Sequence, residues 1–271
     1  MKLETFRRRF PVRRLRIDGL AWNIIAAGPR GAKSKIAPVL LMLPGTLGTA
    51  EIFWNQIVAL RRDVRVISVS YPQVTEITRL ADGLVRLLDR LGVERAYIVG
   101  SSLGGYLAQI FAARHPSRVH KILIGNSLSN PSGPHPSGQS AADLARLPGK
   151  FHRQMILGSV ESWPEPEPVF RRLHAILRES GTRLLSARAL KARVLVLRAG
   201  PEVPKLPLSR GQVEIIDCED DPLIPPSTQK DVRRRYPGAR HHRFRIGGHY
   251  PYIVRADAYT AVLRKSMGLA R

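Results

Sequence analysis

Between Arg95 and Pro116 the chain reads RAYIVGSSLGGYLAQIFAARHP, an apolar run of β type that breaks on a Gly-Ser-Ser-Leu-Gly-Gly cluster and continues as an apolar helix. This junction constrains the fold more than any other stretch. A strand that turns into a helix within two residues needs a tight turn, and the small residues at 100, 104 and 105 are the ones such a turn tolerates. Strand and helix alternate on both sides of it. VRRLRID and WNIIAAG read as a hairpin, and APVLLMLPG, VRVISVSYP and VHKILIGNS as further strands. TEITRLADGLVRLLDRLG carries the period of an amphipathic helix. Continuous apolar strands alternating with helices imply an α/β fold, with a mostly parallel central sheet and helices on both faces.

The alternation stops at Ser129. SNPSGPHPSG is followed by the helical patterns AADLARLPGKFHRQMILG and PEPVFRRLHAILRES, separated by proline-rich links. We read residues 129–209 as an inserted helical cap, with 1–128 and 210–271 forming one core. Both VLVLRAG (194–200) and VEIIDCE (213–219) could supply the strand after the insertion. The second is preferred because it runs into carboxylates at its C-terminal end.

At 271 residues with 44% apolar side chains the chain can bury a sizeable core. The N-terminus lacks the apolar stretch of a signal peptide and APVLLMLP is too short to cross a bilayer, so a cytoplasmic protein with no transmembrane segment is expected. Cys218 is the single cysteine, which rules out an intramolecular disulfide and a cysteine-rich metal cluster. The formal charge of +23 is spread over the whole chain, with runs at RRRFPVRR and RRRYPGARHHRFR. No zinc-finger spacing or RNA-binding aromatic motif accompanies it, so no specific nucleic-acid partner is expected.

Gly100, Ser101, Ser102, Leu103 and Gly104 form a GxSxG run between strand and helix, the arrangement that lifts a serine hydroxyl above a sheet edge. A hydroxyl becomes a nucleophile only beside a base, which in turn needs an orienting acid, here in the order serine, acid, histidine. Of eight histidines, His115, His120, His135, His152, His174, His241, His242 and His249, only His249 stands in a Gly-Gly-His loop between a strand and the last helix. His241 and His242 lie in a basic strand and are expected on the surface. CEDDPLIP offers the acid. Asp221, directly before Pro222, is the first choice and Asp220 the second; the alternative acid position after the elbow's neighbouring strand holds Asn126. An oxyanion would be held by the backbone N–H groups of Leu103 and Thr46, the latter in LPGTLGTAEIFW. Thr46, Leu47, Phe53 and Trp54 are candidates for an acyl pocket, with core packing the more usual role of the aromatics.

AAGPRG, LPGTLGTAEIFWNQIVAL, VRVISVSYP, DGLVRLLDRLG, GSSLGGYLAQIFA, RVHKILIGNSLS and RRYPGARHHRFRIGGHYPYIVRADAY together resemble the α/β-hydrolase superfamily, and within it the maspardin branch, over nearly the whole chain outside the cap. The resemblance implies the α/β-hydrolase fold and points in two directions for activity. Animal maspardins are regarded as binding or trafficking proteins with an incomplete catalytic set. Here His249 is retained in the Gly-Gly-X-Tyr-Pro-Tyr loop, together with Ser102 and an aspartate. The resulting expectation is a serine hydrolase for a small-molecule acyl substrate, with no metal and no organic cofactor; the alternative is a non-catalytic binding protein.

Overall fold

The structure is a computed structural model, and it describes residues 1–131 and 140–269. Most of the proline-rich link SNPSGPHPSG, including His135, lies outside the described residues. The chain runs α1 (Leu3–Arg9), β1 (Arg13–Ile17), β2 (Leu20–Ala27), α2 (Lys33–Ile36), β3 (Val39–Leu43), α3 (Trp54–Leu60), β4 (Arg65–Ser70), α4 (Ile77–Arg90), β5 (Ala96–Ser101), α5 (Leu103–Arg114) and β6 (Val119–Gly125). After β6 come α6 (Ala141–Arg146), α7 (Gly149–Glu161), α8 (Pro168–Glu179) and α9 (Ala187–Arg198), then β7 (Val213–Cys218), α10 (Pro226–Arg235), β8 (Arg240–Phe244), α11 (Pro251–Val254) and α12 (Ala256–Ser266).

The strands form one sheet in the order β1-β2-β4-β3-β5-β6-β7-β8. β1 and β2 pair antiparallel, as do β2 and β4, and all pairings from β4 to β8 are parallel. The apolar strand runs follow from this. Leu41, Leu43, Ile98, Ile122 and Ile124 pack into one core beneath α4 and α5, while Leu40, Met42, Val99 and Leu123 pack into a second core with α3 and α12. A strand covered on both faces has no polar face to alternate with. α5 lies deepest: every residue from Leu103 to Ala112 is buried.

The two candidates for the strand after the insertion separate cleanly. Val213–Cys218 is β7, buried along its whole length between β6 and β8. Residues 194–198 instead end α9, whose Ser186 caps the helix by accepting the N–H of Ala189. That cap fixes helical geometry from Ala187 onward and carries the valines with it. His241 and His242 in β8 are less solitary than expected. His241 Nε2 lies 2.8 Å from buried Asp217, and His242 Nε2 2.7 Å from buried Glu214. Among the described residues no helix is long and apolar enough to cross a membrane.

Candidate active site

β5 ends at Ser101, and α5 begins at Leu103. Ser102 between them takes φ +54 and ψ −120, a region that non-glycine residues enter only under constraint. The constraint is visible around it. The Ser102 N–H donates to Gly125 O at 2.8 Å, and Ser102 O accepts from Tyr106 N–H at 3.0 Å and from Ser127 Oγ at 2.7 Å. The turn closes so tightly that a Cβ at Gly100 would lie 2.0 Å from Gly104 O, and one at Gly104 would lie 2.0 Å from Leu43 O. No side chain fits at either position, which accounts for both glycines of the motif.

The loop after β3 runs beside the serine. A Cβ at Gly45 would lie 3.2 Å from Ser102 Cβ, and Gly48 N–H closes a turn on Gly45 O at 3.0 Å. Among the described residues the N–H groups of Thr46 and Leu103 have no hydrogen-bond partner. Leu103 N–H belongs to the first turn of α5, where the helix supplies no acceptor and its dipole favours negative charge. Both N–H groups that the sequence nominates are therefore unpaired among the described residues, and Gly45, the residue before Thr46, lies against Ser102.

His249 follows β8. Its Nδ1 lies 3.0 and 2.9 Å from the two carboxylate oxygens of Asp221, and both side chains are almost wholly buried. Asp221 is held from three further directions. Its Oδ1 accepts the N–H groups of Leu223 (2.8 Å) and Ile224 (3.1 Å), and its Oδ2 accepts Asn126 Nδ2 at 2.6 Å. Asp220 points elsewhere: it accepts the N–H groups of Gly247 and Gly248 at 2.8–3.1 Å, and so fixes the backbone that presents His249. The choice between the two aspartates is thus a division of labour in which Asp221 meets the ring and Asp220 meets the loop.

Asn126 does not orient the histidine. With φ +40 at the end of β6, it donates to Asp221 and, at 3.1 Å, to Gly248 O. Because Gly125 accepts the Ser102 N–H, residues 125 and 126 link the elbow to the Asp221–His249 pair. No hydrogen bond joins Ser102 Oγ to His249 Nε2 in this structure. Phe53 and Trp54, candidates for an acyl pocket, are buried core residues, Phe53 packing on Tyr252 with ring centroids 4.4 Å apart. Leu47 is also buried, under Gly181.

The inserted helices reach the site through side chains that had no distinguishing signal in the sequence. Arg193 of α9, only 3% exposed, donates from Nη1 to Thr46 O at 2.8 Å and to Gly48 O at 2.6 Å, and its guanidinium lies 5.2 Å from the Tyr71 ring. Burial pushes its pKa down to about 10, and no carboxylate faces it. Ser180 Oγ donates to Leu47 O, and Tyr71 Oη donates to Pro44 O at 2.7 Å. Three consecutive carbonyls, 46, 47 and 48, are therefore each held by the insertion. Trp163, between α7 and α8, packs edge-on to His249 at 6.2 Å. Beside the imidazole lies a cavity of about 70 Å3 lined by Trp163, Pro164, Phe170, Leu173 and Pro222. Among the described residues no group of three or more His, Cys, Asp or Glu side chains is arranged to hold a metal ion.

Comparison with known proteins gives the same fold. A family profile described as the alpha/beta hydrolase fold matches residues 38–155. The chain is 28% identical to maspardin of Danio rerio over 257 residues, covering 93% of this chain and 80% of that protein, and equally identical to maspardin of Homo sapiens, of which it covers 81%. It is 25% identical to a putative carbamate hydrolase of Caulobacter sp. (strain K31), over 91% of this chain and 95% of the relative. Among solved structures it resembles an enol-lactonase from Burkholderia xenovorans (TM-score 0.75, 19% identity, covering 94% of this chain and 100% of that one) and a thermophilic esterase from Thermogutta terrifontis (TM-score 0.75, 18% identity, covering 94% and 97%).

Proposed function

Because this chain has the α/β-hydrolase fold and is maspardin-like along most of its length, we propose that it is a serine hydrolase cleaving a small acyl substrate through an acyl-enzyme on Ser102. The observation that carries this reading is the buried Asp221–His249 pair, at 2.9 Å, on the sheet edge where a strained elbow presents Ser102. In the proposed cycle His249 Nε2 takes the Ser102 proton as Oγ attacks the acyl carbon. Asp221 holds the Nδ1 proton and stabilises the imidazolium, and the N–H groups of Thr46 and Leu103 receive the oxyanion. The imidazolium then protonates the leaving group, and a water activated by His249 releases the acid.

The four helices between β6 and β7 act in this reading as a lid. The 70 Å3 cavity against His249 has aromatic and proline walls, which suits a short apolar group better than a long chain. Short p-nitrophenyl esters are the appropriate first substrates.

A fluorophosphonate probe tests the proposal. Labelling of the wild type that is lost in Ser102→Ala is expected; a folded wild type that takes no label defeats it. One observation favours a second reading, a binding protein without turnover: the hydrogen bond from Ser102 Oγ to His249 is not made. Catalytic contacts of this kind often tighten only around substrate, so the same labelling experiment separates the two readings.

A further inference from the structure

The +23 charge is not wholly a dispersed surface property. At the opposite end of the sheet from Ser102, where Ala27 pairs with Val66 at the start of β4, a cavity of about 660 Å3 opens between the end of β2, the C-terminal end of α1 and the C-terminal end of α3. Its walls carry Arg9, Arg30, Lys33, Arg61 and Arg62, and no acidic side chain. We infer that this cavity is a binding site for a multiply phosphorylated anion, either a free polyphosphate or the headgroup of a phosphorylated lipid.

Two observations carry the inference. First, none of the five cations forms an ion pair among the described residues, although acids are close at hand. Arg7, two residues from Arg9, is taken by Glu51 and Glu179, and Asp63, next to Arg62, is taken by Arg264. The local carboxylates are already engaged elsewhere and the cavity is left uncompensated. A basic residue at a helix C-terminus is favoured by the dipole, which explains one cation on each of α1 and α3 but not five converging on one hollow. Second, two of the guanidiniums lie against the same aromatic ring: Arg9 and Arg61 are 5.9 and 6.0 Å from the Phe10 ring centroid.

The chemistry of the ligand follows from the count. A singly charged anion would leave most of the cluster repelling itself, whereas two or more clustered phosphates would neutralise it. Four of the five cations are arginines, whose planar fork matches phosphate oxygens in pairs. The hollow is of the size that holds a small ligand rather than a single ion.

The test is titration of the full chain with sodium tripolyphosphate at about 0.15 M salt, and co-flotation with phosphatidylcholine vesicles containing phosphatidylinositol bisphosphate. The cavity variant is Arg30→Glu/Lys33→Glu/Arg62→Glu. The control is Arg16→Glu/Arg90→Glu/Arg188→Glu, an equal charge change at exposed positions outside the cavity. Circular dichroism reports whether both fold, and Arg30→Gln/Lys33→Gln serves if the reversal does not. The expected result is an affinity loss of at least about tenfold in the cavity variant and less than about threefold in the control. Binding of tripolyphosphate assigns a free ligand, and binding of the phosphoinositide vesicles alone assigns a headgroup. Equal losses in the two variants overturn the inference, as does failure of the wild type to bind either probe. Equal binding to charge-matched phosphatidylserine vesicles overturns it too, because then net charge alone suffices.

Discussion

Replacing Arg193 by methionine separates what the buried cation costs from what it does. Burial lowers its pKa from the ordinary guanidinium value to about 10, which corresponds to about 3 kcal/mol against the charged form. The sign is that of a depressed base: the penalty is fully present below pH 10 and is relieved only as pH rises through 10 toward the ordinary guanidinium value, where the folded side chain loses its proton before the unfolded one. Against this stand two charge-assisted bonds, at 2.8 Å to Thr46 O and 2.6 Å to Gly48 O, worth about 1.5–3 kcal/mol each. The contact with the Tyr71 ring at 5.2 Å adds about 1 kcal/mol. Taken at the lower end of these ranges, the favourable contributions exceed the penalty by only about 1 kcal/mol, and methionine refills most of the space. Unfolding stability of Arg193→Met should therefore fall by less than about 2 kcal/mol in urea melts.

Activity should change more. The two carbonyls belong to the turn that carries the Thr46 N–H, and in the proposed cycle loosening that turn weakens a donor that acts only once the oxyanion forms. Complete loss of such a donor costs about 10²–10³ in kcat. A loosened one should lower kcat about 10- to 100-fold on a short p-nitrophenyl ester, with KM changed by less than about threefold. Arg193→Lys keeps the charge and at least one of the bonds and should recover part of the loss. A folded Arg193→Met protein with wild-type kcat would refute the reasoning, and so would a kcat loss that simply follows the folded fraction.

The two adjacent aspartates should separate by kinetics. Asp221→Asn, which removes the charge facing His249, should lower kcat by about 10³- to 10⁴-fold, while Asp220→Asn, which only weakens the hold on Gly247 and Gly248, should cost about tenfold; equal effects would contradict the division seen here. Acid stability should depend on Glu214 of β7: burial alone would raise its carboxyl, but hydrogen bonds from His242, Lys121 and Ser266 pull it down to about 2 from 4.5. That contribution, up to about 3 kcal/mol, is present above pH 4.5 and lost as pH falls toward 2, so Glu214→Gln should flatten the pH dependence of the thermal midpoint across that window. An unchanged slope would show that the carboxylate is not held as described.

How much of this was legible in the sequence depended on what kind of interaction fixes each part. The sheet was readable because strands buried on both faces must be apolar throughout, as Leu40–Leu43 and Ile122–Ile124 are. The elbow was readable because Gly100 and Gly104 are sterically compelled. α1 and α3 were missed. Each is seven residues long, and periodicity has little to act on over two turns, even though α1 buries Phe6 completely. The ambiguity at 194–200 was soluble in principle. Its apolar run fits either state, but Ser186, eight residues upstream, caps a helix and would have settled it.

The supports of the site were hidden for a different reason. Asp221 and His249 can be nominated from sequence because each needs a partner of a particular chemical type, and such types are few. Arg193 and Ser180 donate instead to main-chain carbonyls, at Thr46, Gly48 and Leu47, and Asp220 accepts from main-chain N–H groups. Every residue carries those backbone groups, so the partner's identity conveys nothing, and a useful arginine looks like any of the other bases in a chain of 44 lysines and arginines. Only the docking of the insertion decides which carbonyls are within reach. In the proposed cycle the dependence of kcat on Arg193 is accordingly a test of the docked arrangement itself, at a point that substitutions at Ser102, Asp221 and His249 do not probe.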